Sequence, residues 1–263
     1  MPAYSGLIIT YNEAHNVVDC IASLAKVCDD IVVVDAGSTD RTVELARAAR
    51  ANVVVQVPFL GDGPQRSFGL RHCRHDWVIN LDADERLEDD LIAILKATAD
   101  WSVDALECRR RNYIGERFTP YAGQYPDYIC RIFDRRRASF SQVKTHSRIQ
   151  ASSTRKIDGH VTHYSYRDYE DMFARINKYS TWQAQELLAN GRSASLASAI
   201  AHGTMAFLKH YIIKRGFLAG CDGLSISLSK AVGSYLKYAK LIELRQRQEK
   251  RNDKQYPRNK VLM

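Results

Sequence analysis

Two periods of apolar residues alternate along the first hundred positions. Short runs rich in β-branched residues at 6–10, 31–35, 52–57 and 77–81 read as buried strands. Between them Val17, Ile21, Leu24 and Val27, then Val43, Leu45, Ala46 and Ala49, recur at helical spacing. A strand period that repeatedly gives way to a helix period predicts an α/β fold, a doubly wound and mostly parallel sheet covered by helices. From Ala105 the segments become shorter, more aromatic and richer in arginine, and stretches at 106–113, 128–133 and 146–150 are expected to extend the sheet in mixed fashion. From about Tyr169 the pattern is helical: one helix through Tyr179 and Leu187, a second at 196–213 and a third at 224–244, with a turn between Arg215-Gly216 and Asp222-Gly223. The expected organisation is a domain at 1–168 followed by a helical, basic C-terminal extension at 169–263.

Charge sharpens that division. The net charge is +8, and the segment from Lys209 onward holds 13 Lys and Arg against 4 Asp and Glu, which leaves the first 208 residues close to neutral. A neutral body argues against a nucleic-acid-binding protein, and a basic end suits an anionic surface. On a helical projection Leu228, Val232, Tyr235, Ala239 and Ile242 form one stripe with Lys230, Lys237 and Lys240 opposite. That stripe fits either the interface of an anionic bilayer or packing against the rest of the protein. No stretch approaches about 18 consecutive apolar residues, and the apolar start is too short for a signal peptide. The expected location is therefore the cytoplasm, peripheral on the inner face of the cell membrane. Six cysteines without C-x-x-C spacing read as small core residues in a reducing compartment. Arg109-Arg110-Arg111 and Arg135-Arg136-Arg137 read as solvated faces, and His160 with His163 lacks a third ligand for zinc.

Candidate chemistry concentrates where the predicted strands end. Asp82-Ala83-Asp84-Glu85 follows the apolar run 77–81, which places two carboxylates at the carboxyl end of a buried strand, the edge at which open α/β sheets bind ligands. The strand is expected to break into a turn there, with both carboxylates serving one site. Their oxygens suit a hard divalent cation, Mg2+ or Mn2+, which itself favours diphosphate oxygens. Thr10-Tyr11-Asn12-Glu13 and Asp35-Ala36-Gly37-Ser38-Thr39-Asp40 follow two other strands and converge on the same edge. Asp35 is placed to accept from a base N–H or from ribose hydroxyls, or else serves the helix start with Asp40. Neither a G-x-G-x-x-G nor a G-x-x-x-x-G-K-[ST] motif is present.

Taken together, these three loops with Gln65-Arg66 resemble the family-2 inverting glycosyltransferases of A-type fold. Later segments, among them Tyr125-Pro126-Asp127, Arg131-Ile132-Phe133, His163-Tyr164-Ser165-Tyr166 and Lys178-Tyr179-Ser180, are similar to the subgroup that adds glucose in β-1,4 linkage to the inner core of lipopolysaccharide. The resemblance implies that Thr10, Glu13 and Asp35 hold the uridine of a nucleotide-sugar donor, UDP-glucose. It implies that Arg66 approaches the diphosphate or sugar, and that Asp82 and Asp84 meet the ribose and the metal. It also implies a lipid-linked glycan acceptor. The subgroup has a His-Glu pair where this chain has His146-Ser147, and serine cannot act as a carboxylate base, so Asp127 is the first candidate for the base and His146 the second. The competing expectations are the same donor chemistry on a polyprenyl phosphate or a protein, and a nucleotide-sugar-binding protein without catalysis.

Overall fold

The computed structural model describes residues 2–98, 100–143 and 147–255, with backbone alone for 251–255. The chain divides into two compact units, Met1–Tyr113 with Tyr125–Ser165, and Ile114–Gln124 with Tyr166–Met263. In chain order the elements are β1 (Tyr4–Thr10), α1 (Val17–Leu24), β2 (Cys28–Asp35), α2 (Thr42–Ala48), β3 (Asn52–Val55), α3 (Asp62–Leu70), β4 (Trp77–Asp82), β5 (Glu85–Leu87), α4 (Asp89–Ala97), β6 (Ala105–Ile114), β7 (Arg117–Phe118), β8 (Asp127–Asp134), β9 (Ser139–Phe140), β10 (Ile149–Gln150), β11 (Thr154–Tyr166), α5 (Tyr169–Ala189), α6 (Leu196–Leu208), a π turn (Lys209–Ile213), a 3₁₀ turn (Gly216–Ala219) and α7 (Gly220–Gln255).

In the first unit the sheet runs β3-β2-β1-β4-β8-β6-β11-β5. β1 pairs in parallel with β2 and β4, and β2 with β3, while β8 is antiparallel to β4 and to β6, and β11 to β5. The alternation of side chains divides the core between the two faces of the sheet. Ile8 and Val33 join Val17, Ile21, Leu24 and Leu91 on one side. Leu7, Val32 and Val34 join Phe133, Phe140 and the half-buried Phe68 on the other. The predicted strands 6–10, 31–35, 52–57 and 77–81 are β1 to β4 in place, and both helical repeats between them form helices. Glu85 follows Asp82 by three positions, yet β5 lies at the far end of the strand order. The antiparallel half, β8-β6-β11-β5, therefore curls back toward the end of β4.

Six elements escaped the periodicity: α3, α4, β5, β7, β9 and β11. α3 carries Gly63, Pro64 and Gly69, poor helix formers in its interior. Their use is close approach, since a Cβ on Gly63 would lie 1.9 Å from the Ser141 carbonyl oxygen and one on Gly69 2.6 Å from Leu7. The expected strand 146–150 is reduced to β10, and Lys144 to His146 lie outside the described residues.

In the second unit α7 packs against both α5 and α6. Gly203 of α6 sits on Ala231 and Tyr235, and Gly233 faces Ile176 of α5. Ile114, Ala122, Met172 and Ile226 form its small core. Asp168 caps α5 by accepting from the Asp171 N–H, and Ser195 with Ser198 makes a reciprocal capping box at α6. The predicted stripe on α7 does not form a buried face: Leu228, Val232 and Tyr235 are exposed, Ala239 and Ile242 half-buried, and the buried Leu241 lies off the stripe. The last five residues of the predicted second helix form the π turn.

Candidate active site

The loops after β1 and β2 are sewn together by side chains. Asn12 Oδ1 accepts from the Thr39 N–H, Ser38 Oγ from the Asn12 N–H, and Thr42 Oγ1 from the Glu13 N–H. Asp35 is fully buried at the centre of this seam. Its carboxylate accepts from Thr10 Oγ1 at 2.9 Å, Ser38 Oγ at 2.5 Å and the N–H groups of Gly37 and Ser38 at 2.9 and 2.7 Å. A carboxylate offers about four acceptor sites, so these four bonds occupy Asp35 within the loop. Glu13 accepts from Asn16 Nδ2, and its carbonyl accepts from the Asn16 and Val17 N–H groups at the entry to α1.

At the end of β4 the two carboxylates part company. Asp82 receives Arg66 Nη2 on Oδ1 and Arg131 Nη2 on Oδ2, each at 2.5 Å. Arg66 reaches it from α3, where it also donates to Asp62 and Asn80, and is itself buried. Burial works to raise the Asp82 carboxyl, but Arg131 and Arg66 outweigh it and hold the group far below the ordinary carboxylate range. Burial likewise opposes the charge on Arg131, and Asp82 with Glu85 reverses that and raises it. Asp84, two residues on, faces His163: Nε2 lies 3.6 Å from Asp84 Oδ2. β11 supplies that histidine because His163 is registered against Glu85 of β5. The other ring nitrogen, Nδ1, is 2.7 Å from Asn112 Oδ1.

Around this turn Glu85 is fully buried, accepting from the Asp82 N–H and from Arg131 and Arg110. Arg110 stands directly opposite Asp127 in the β6–β8 register. It donates to Asp127 Oδ2 through Nε at 2.9 Å, and Asn112 donates to the same oxygen at 3.2 Å. Five carboxylates (Asp62, Asp82, Asp84, Glu85, Asp127) thus meet three guanidinia (Arg66, Arg110, Arg131), an excess of two negative charges when all are ionised and His163 is neutral.

The expectation of a solvated Arg109-Arg110-Arg111 face is corrected here. Arg109 pairs with Asp158, Arg110 with Asp127 and Glu85, and Arg111 with Glu88, and all three are half-buried. His160 is buried between Asp90 Oδ2, 2.5 Å from Nδ1, and the Tyr125 hydroxyl, 3.0 Å from Nε2. Glu88, Asp90 and His160 do form a cluster of ligand type. Their donors and acceptors, however, are already taken by Arg111, Thr162, Tyr125 and one another. His146 lies outside the described residues. The neighbouring Ser147 donates its N–H to Asp62 Oδ2, and its Oγ is buried without a partner, as are Arg131 Nε and Gln65 Nε2.

A parallel sheet that curls antiparallel around an acidic turn, followed by helices, is the A-type glycosyltransferase architecture. The chain belongs to glycosyl transferase family 2, whose family model matches residues 5–168, and it is a glycosyltransferase. Among similar proteins, an uncharacterized glycosyltransferase of Rickettsia bellii is 32% identical, over 91% of this chain and 86% of its own. The lipopolysaccharide core biosynthesis glycosyltransferase LpsC of Rhizobium meliloti is 28% identical over 91% and 92%. Among solved structures, S. aureus TarS in complex with UDP aligns over 94% of this chain and 92% of its own with a TM-score of 0.48 and 15% identity. Glucosyl-3-phosphoglycerate synthase of Mycobacterium tuberculosis in complex with Mn2+ and UDP-glucose aligns over 42% and 44%, with a TM-score of 0.35 and 22% identity. No helix among the described residues is long and apolar enough to cross a membrane.

Proposed function

We propose that this enzyme transfers a hexose, glucose from UDP-glucose, with inversion onto a lipopolysaccharide core or a similar lipid-linked glycan. The observation that carries the donor half is the division of labour in the Asp82–Asp84 turn: Asp82 is locked by two arginines while Asp84 faces His163. A carboxylate and an imidazole on one side of a cluster with two surplus negative charges suit Mn2+ or Mg2+. Asp84 and His163 are the residues that would hold the ion, and Asp82 contributes to the ribose and to fixing Arg66 and Arg131 in place. When bound, such an ion neutralises charge on the departing diphosphate. Thr10 and Glu13 line the uridine end, and Asp35 acts there through the loop it organises. Arg66 lies toward the diphosphate.

In the displacement the acceptor hydroxyl oxygen forms a bond to the anomeric carbon as the bond from that carbon to the diphosphate oxygen breaks. The hydroxyl proton goes to Asp127, whose Oδ2 is held by Arg110 and Asn112 so that Oδ1 is presented in a fixed orientation. Support for the lipid-linked acceptor is the likeness to LpsC, which is named for lipopolysaccharide core biosynthesis. The test is calorimetric titration of UDP-glucose, GDP-mannose and an ADP-sugar, with and without Mn2+, on the wild type and on Asp84→Ala. Metal-dependent binding of UDP-glucose that Asp84→Ala abolishes is expected; folded protein that binds no donor overturns the reading. A panel of core oligosaccharide, polyprenyl phosphate and protein acceptors then separates the acceptor classes.

A further inference from the structure

The helices after Asp168 leave an apolar face that nothing among the described residues covers. On α6 the packed side is marked by Ala199 and Gly203, both buried, with Gly203 against α7. At about 100° per residue, Met205, Leu208 and Ile212 project from the opposite side. Exposure is high for side chains of this kind: 71% for Ile213, 62% for Met205, 55% for Ile212 and 51% for both Phe217 and Leu218. The most exposed of them are consecutive with the π turn and the 3₁₀ turn, where Tyr211 stacks on Phe207 and meets Phe217 edge-on. They therefore form one patch, of the kind that marks an interaction site.

The charges around the patch say what covers it. Residues 187–242 contain seven Lys and Arg and a single carboxylate, Asp222. That carboxylate is already bound by Arg117 and by the Tyr169 hydroxyl. Lys209, Lys214 and Arg215, all exposed, interrupt the apolar residues of the two turns themselves. A second copy meeting face to face would bury these cations against carboxylates that this face does not carry. A bilayer accepts both features at once, with apolar side chains entering the acyl boundary and Lys and Arg stems reaching back to headgroups.

We infer that the face built by α6, the π turn and the 3₁₀ turn is a monotopic docking surface for an anionic phospholipid bilayer. Ile212, Ile213 and Phe217 are its inserting residues, and Lys209, Lys214 and Arg215 its headgroup contacts. This places the membrane contact on α6 and its turns rather than on the α7 stripe, and it stands on the surface alone, whatever the donor.

The experiment is flotation of the full chain with vesicles of phosphatidylethanolamine and phosphatidylglycerol in equal parts, against vesicles of phosphatidylcholine. Two variants are compared, Ile212→Ser/Ile213→Ser and Lys209→Gln/Lys214→Gln/Arg215→Gln, each checked for fold by circular dichroism. Wild type is expected to float with the anionic vesicles and to stay behind with the neutral ones. The apolar variant should lose at least about tenfold in partitioning, and the charge variant on the order of 100-fold. Wild type that stays unbound, or a variant that floats as wild type does, overturns the inference. So does a concentration-dependent dimer in sedimentation equilibrium that the Ile212→Ser/Ile213→Ser change abolishes, since it assigns the face to a second copy. Vesicle binding without UDP-glucose binding would leave this surface standing and remove the donor reading, and the converse result does the reverse.

Discussion

Asp82 is the residue on which the most buried charge converges. Removing its negative charge leaves the largely buried guanidinia of Arg66 and Arg131 without their common partner, so Asp82→Asn should cost about 3 kcal/mol in urea unfolding at pH 7, the lower end for a buried pair because Asp82 itself is half-buried. The sign of its pH dependence follows from a folded-state pKa held below the unfolded value near 3.8. Its contribution is complete above the unfolded pKa and is lost as pH falls through the folded one. Wild type should therefore lose stability below about pH 4 more steeply than Asp82→Asn. Asp127 calls for a different measurement. Asp127→Asn should lower turnover by about 10²–10⁴-fold while UDP-glucose affinity with Mn2+ is unchanged; equal loss of both would move the base elsewhere. The acidic turn was legible in the sequence because Asp82, Asp84 and Glu85 follow directly on the apolar run 77–81. Arg110, Asn112 and His163 were not, because their place depends on strand register, which residue type alone does not encode. Arg110 was read as solvated for that reason.

At the scale of elements, periodicity recovered β1 to β4 because they are short apolar runs, β1 and β4 buried on both faces, and α1, α2 and α5 because their apolar residues recur at helical spacing. It missed α3, whose interior glycines weaken it as a helix and are required by the chains they touch. Gly63→Ala should thus destabilise the protein by about 1–3 kcal/mol, since the new Cβ meets the Ser141 carbonyl oxygen at 1.9 Å; chemical denaturation checks it. β11 was missed for another reason. Its first half reads Thr154-Arg155-Lys156-Ile157-Asp158, too polar for a strand by composition, and it is held by partners on either side. α6 depends more on its ends than on its faces. Replacing Ser195 by alanine removes the acceptor for the Ser198 N–H and should cost about 1 kcal/mol, read as a lower thermal midpoint.

For the molecule as a whole, donor binding and stability are linked. UDP-glucose at about a hundred times its dissociation constant should stabilise the wild type by about 2.7 kcal/mol, seen as a rise in thermal midpoint that appears with Mn2+ and is absent in Asp84→Ala. The C-terminal excess of positive charge was plain in the sequence, but which face carries the exposed apolar residues emerged from how α6 lies on α7. The curl of the antiparallel strands has its own consequence. Asp82 ends one strand and Glu85 begins another, and those strands are the two ends of a hydrogen-bonded path through β8, β6 and β11. The turn between them is consequently a clasp on a closed loop rather than a free hinge. Its amides, with those of the strands it joins, should open to deuterium together and at a rate set by cooperative unfolding of the whole ring.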